Sequence, residues 1–123
     1  MRVRPLAIAV LVLGTPAVFF VAQHFAHVPE MRFAEALRRA EEQPSEERAP
    51  KVLIRGVVHA VPAAGQVSPT FWMQDAEGTV FAVEYEGGEA LPVLAPGMRV
   101  VVLGHAHGGA SPFFHASEVR VER

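Results

Sequence analysis

Across residues 51–122 the chain is a succession of short Val- and Phe-rich runs closed by Gly, Pro, Ser or Asp, and this rhythm restricts the fold more than any other feature. Runs of this length, rich in β-branched and aromatic residues, read as strands, and the punctuation between them reads as turns. Five are expected, at 51–60, 70–74, 79–85, 98–106 and 113–121. Gly56 falls in the middle of the first, where a coiled strand bends around a barrel corner. Asp75 to Gly78 is a turn that folds the third run back on the second, and 108–112 joins the last two. The connection 87–97, with a helical turn expected at 90–94, separates the third strand from the fourth. Five strands with the insertion at that place are the layout of an OB-fold barrel.

The 123 residues leave room for one compact domain and an appendage, and the first part of the chain is unlike the rest. Residues 6–22 are apolar and uncharged, and they follow Arg2 and Arg4. With its flanks this run approaches the ~20 residues that cross a hydrocarbon core as a helix. A cleaved signal peptide has a shorter apolar core, of about 7–15 residues, and small residues before the cut. Here bulky Val18, Phe19, Phe20 and Val21 occupy that place, which favours an uncleaved transmembrane anchor with Arg2 and Arg4 in the cytoplasm. The barrel is then expected in the periplasm or outside the cell, as the C-terminal domain of a single-pass protein of the inner (cytoplasmic) membrane. Pro29, Glu30 and the pair Arg38, Arg39 bracket a short amphipathic helix over 29–42. Its expected apolar stripe is Met31, Ala34 and Leu37 with Phe33 and Ala40, packed on the barrel or lying at the membrane surface. The expected organisation is therefore a cytoplasmic tip and anchor over 1–27, an amphipathic helix and polar linker over 28–50, and an OB-fold domain over 51–123.

Charge and composition exclude several function classes. Beyond Arg4 the chain holds nine basic against thirteen acidic residues, so it lacks the basic stripe that non-specific nucleic-acid binding depends on. There is no cysteine, which removes disulfides, thiolate metal sites and cysteine nucleophiles. Ser68, Ser111 and Ser117 have no nucleophile-elbow setting, Asp75 reads as a turn residue, and no phosphate-binding or dinucleotide fingerprint is present. A binding protein is expected rather than an enzyme.

The arrangement resembles the CcmE family of haem chaperones in cytochrome c maturation. The residues that carry the likeness are the apolar run 6–22, the segment 33–42 leading to Val52-Leu-Ile-Arg-Gly-Val-Val58, Ala82-Val-Glu-Tyr-Glu-Gly87, Leu94-Ala-Pro-Gly97 and Ala116-Ser-Glu-Val119. The resemblance implies one N-terminal membrane helix, a periplasmic OB-type barrel, haem as ligand and cytochrome c assembly proteins as partners. In that family the last strand continues into a segment with a histidine that bonds covalently to a haem vinyl group, followed by a tyrosine that ligates the iron. Here Arg120-Val-Glu-Arg123 follows, and Arg123 occupies the matching histidine position, so no covalent haem residue carries over. The expected role is accessory, in haem handling or cytochrome c assembly without covalent attachment. The alternative is a tethered OB-fold module that binds protein or oligonucleotide and has no haem role.

His105 and His107 lie two apart on a strand and so share a face. His115 joins them only if the pairing of the last two strands is right, because a slip of one residue sends it to the other face. These three are the candidate cofactor-binding residues, able to hold haem iron, zinc or copper by ordinary coordination, and no dedicated metal site is assigned. His24 and His27, one helical turn apart, are weaker candidates, and His59 is isolated. Phe71, Trp72, Phe81, Tyr85, Phe113 and Phe114 offer either a stacking platform or barrel filling, and alternation requires that Phe71 and Trp72 part company.

Overall fold

The computed structural model describes residues 27–42 and 50–123. Within them lie one helix, α1 (Phe33–Glu42), and five strands, β1 (Val52–Ala60), β2 (Phe71–Asp75), β3 (Val80–Tyr85), β4 (Arg99–His107) and β5 (Phe113–Val121). The strands close in the order β1-β2-β3-β5-β4, with β3 and β5 parallel and every other pair antiparallel. This is an OB-fold-like five-stranded barrel, as the strand rhythm implies.

The expected membrane helix is corrected. Among the described residues no helix is long and apolar enough to cross a membrane, and the stretch 6–22 lies outside them. The single-pass anchor, the membrane as a partner and the inner-membrane, periplasmic location are therefore not carried forward. His24 also lies outside the described residues.

Alternation drives the closure. Inward residues of neighbouring strands meet in layers, and Ile54, Val58, Phe71, Met73, Val83, Val100, Val102 and Phe114 are almost wholly buried. Gly56 stands where β1 crosses from one partner to the other, pairing with Asp75 of β2 and Val100 of β4. A Cβ there would lie 2.1 Å from the Gln74 carbonyl oxygen, so only glycine permits the approach that lets β1 serve both neighbours.

Helix α1 is part of this core. Its buried stripe is Phe33 and Ala36, with Leu37 and Ala40 partly covered, which is the i, i+3, i+4, i+7 spacing of a packed helix face. Ala34, expected on the stripe, is exposed, and Met31 joins the core from the extended segment before the helix. That segment runs beside β1: the Met31 N–H donates to the Leu53 carbonyl and the Leu53 N–H to the Pro29 carbonyl, each at 2.9 Å. Phe33 stacks face to face on Phe81, centroids 4.2 Å apart, and Phe81 meets Phe114 edge-on. The helical turn expected at 90–94 does not form. Pro92 biases Leu91 towards an extended backbone, and the connection instead lays Leu91 and Leu94 against the core.

Arg55 ties three segments together from outside, donating from Nε to Glu30 at 2.6 Å and from a terminal nitrogen to Glu122. The hydrogen bond to Glu30 is the main reason its pKa is raised. The side chain is half-exposed, at 49%, so solvent screens the gain. Arg55→Ala is expected to lower unfolding free energy by less than about 1 kcal/mol, and by less still in high salt, as read by urea titration.

Candidate functional site

The last two strands carry the three histidines, and a single irregularity decides where they point. From Val100↔Val121 to Leu103↔Glu118 the strands pair residue for residue, but Gly104 then pairs with Ala116. Ser117 is the extra residue of a bulge, and its hydroxyl donates to the Leu103 carbonyl at 3.3 Å. Were Ser117 instead paired with Gly104 in an unbroken ladder, His105 would face Ala116 and His115 would turn into the barrel. With the bulge, His105 pairs directly with His115, and both share the outer face with His107. Gly104 makes the crossing possible, because a Cβ there would lie 1.9 Å from the His115 carbonyl oxygen.

The three imidazoles, all half-buried, form one cluster. Ring centroids lie 4.9 Å apart for His105 and His107, 5.3 Å for His105 and His115, and 5.7 Å for His107 and His115. One ring nitrogen from each lies within 4.8 Å of the others, making this a set of donors that could hold a metal ion. His107 also stacks on Phe113, with centroids 4.8 Å apart and planes 4° from parallel, so its ring is braced from one side.

Glu86 belongs to the site and was not expected there. Its carboxylate lies 2.9 Å from His115 Nε2, while its own side chain is 81% exposed. The position follows β3, and the parallel pairing of β3 with β5 brings it alongside, where the Glu86 N–H donates to the Ala116 carbonyl. The sequence carries no local sign of this, since 29 residues separate the partners.

The other sequence candidates divide between core and surface. Phe71, Phe81 and Phe114 fill the barrel. Trp72 and Phe113 face outward, and cross-strand pairing sets Trp72, Ala82, Phe113 and His107 in one row. Small Ala82 therefore lies between two aromatic side chains, beside the imidazoles. Tyr85 is partly buried against the core and donates its hydroxyl to the Glu89 carbonyl at 2.6 Å. His59 is exposed on β1, apart from the cluster. His27 is exposed at the start of the first described segment.

A groove of about 250 Å³ runs between α1 and β4, with Ala36, Ala40, Val52 and Ala106 on its apolar side and Arg38 and His105 among its polar lining. It is smaller than the ~300 Å³ at which enclosed ligand sites begin. A planar macrocycle would thus have to lie on the open outer face rather than inside the groove.

No protein-family model matches the chain, and no curated protein matches it.

Proposed function

We propose that this barrel is a binding module for a metal-centred ligand, held by imidazoles on the outer face of β4 and β5. One observation carries the reading: His105, His107 and His115 project from one face with their donor nitrogens within 4.8 Å of one another. Neutral imidazole suits zinc, copper, nickel and iron, whereas magnesium and calcium prefer an all-oxygen donor set.

The resemblance to the cytochrome c haem chaperones supplies a finer form of the reading, in which the metal arrives as haem and the module serves haem handling or cytochrome c assembly without covalent attachment. The row of Trp72, Ala82 and Phe113 beside the imidazoles supports it, because a flat apolar ring can lie against such a surface. Glu84 and Glu86 border the same face, and their charge favours this ligand over a polyanionic strand.

Haemin titrated into the full chain is expected to give a saturable Soret shift that is lost when all three histidines are replaced by alanine. An absent shift, or one that survives the triple replacement, overturns the haem form. Salt-sensitive binding of a single-stranded oligonucleotide without any Soret shift would establish the oligonucleotide-binding alternative instead.

A further inference from the structure

Haem coordination leaves part of this site unused. A haem iron has two axial positions on opposite sides of the macrocycle, so imidazoles grouped on one sheet face compete for a single position. The structure nevertheless gathers three there. Three imidazoles with one nitrogen each within 4.8 Å of the others match the donor set by which proteins hold a four-coordinate divalent ion through three histidines and a water.

We propose that His105, His107 and His115 form a three-imidazole site for a free first-row divalent transition ion, with Glu86 as the carboxylate that orients His115. The inference rests on the imidazole face being the binding centre, but not on haem as the ligand.

The geometry needs little adjustment. Metal–nitrogen bonds of about 2.0–2.1 Å set tetrahedral donors roughly 3.3 Å apart, so nitrogens now within 4.8 Å must close by about 1.5 Å at most. Side-chain rotation covers that distance, while both strands stay fixed by the closed barrel. His107 is steadied by the Phe113 ring. His115 Nε2 lies 2.9 Å from the Glu86 carboxylate, and in the proposed site it donates there while Nδ1 takes the ion. A carboxylate on the far nitrogen sets the tautomer and makes the ligating nitrogen more basic. With no thiolate in the chain, the donor set is nitrogen alone, which selects borderline ions such as cobalt, nickel, zinc and copper in their divalent states.

The test uses the full chain without an affinity tag. Cobalt(II) chloride is titrated and followed by visible absorption, and zinc binding is measured by calorimetry. The expected result is one ion per chain, with the intense d–d bands of a four- or five-coordinate cobalt centre. His107→Ala is expected to weaken zinc at least 100-fold, and Glu86→Gln about 10-fold at unchanged stoichiometry. Circular dichroism of each variant checks that the barrel is intact.

Weak octahedral cobalt bands in the wild-type protein overturn the proposal without recourse to any variant. So does binding of several ions that is indifferent to His105, His107 and His115. A Glu86→Gln variant that binds as tightly as wild type removes Glu86 from the orienting role. Haemin binding without cobalt binding sinks the free-ion site and leaves the haem form standing, and the opposite pair of results does the reverse.

Discussion

Phe33→Ala is expected to destabilise the protein by about 3–5 kcal/mol, the cost of emptying a packed aromatic site. Phe33 is buried against Phe81, which in turn meets Phe114, so its ring links the helix to two strands of the barrel. Truncation would leave a cavity bordered by residues already held by strand pairing, and such a frame collapses poorly. Urea unfolding of the full chain, followed by far-ultraviolet circular dichroism, measures the loss. Phe33→Leu, which keeps most of the volume, is expected to cost less than about 1.5 kcal/mol. A loss below 1 kcal/mol in the alanine variant would mean that α1 is not part of the cooperative unit.

Asp75→Ala is expected to cost about 2–4 kcal/mol, because three backbone donors lose one acceptor group at a buried position. Asp75 Oδ1 accepts from the Glu77 and Thr79 N–H groups at 3.0 and 3.1 Å, and Oδ2 accepts from the Phe33 N–H at 2.9 Å. The first two bonds shape the β2–β3 turn. The third caps α1 from a strand 42 residues away, supplying negative charge where the helix dipole is positive. Locally, Met31 and Arg32 offer the first turn no side-chain acceptor, so the helix depends on this distant carboxylate. Both substitutions loosen the same junction, and their effects should fall short of additive by 0.5 kcal/mol or more in a double-mutant cycle. Strict additivity would show that turn and helix are stabilised independently.

The resemblance matches the family's haem-bearing position to Arg123 and supplies no ligand there, so the haem form and the free-ion form both rest on the His105, His107 and His115 face and differ in how many donors they need. A haem reading accounts for one imidazole beside an aromatic row, whereas a free-ion reading accounts for all three and for the carboxylate behind His115. Titrations with haemin and with cobalt(II) separate them, because each ligand reports through its own spectrum.

Much of the fold was legible because strand periodicity is a local property. The five strands lie within a residue of their expected bounds, and β5 coincides with 113–121. The role of Gly56 and the turn at Asp75 were also readable, since the first needs a missing Cβ and the second a short polar side chain. The helix was expected, but its face was misjudged at Ala34, because apolar spacing over ten residues leaves the direction of the barrel open.

What the sequence determined by itself was alternation: which residues of each strand share a face, and hence that His105 and His107 belong together. The tertiary structure alone decided that His115 joins them. One extra residue, Ser117, shifts the register of β5 and turns His115 outward, and the parallel pairing of β3 with β5 then brings Glu86 to it. Side-chain direction along a strand follows from a period of two, but register and strand neighbours follow from closing the barrel around its core, which no local stretch of sequence specifies.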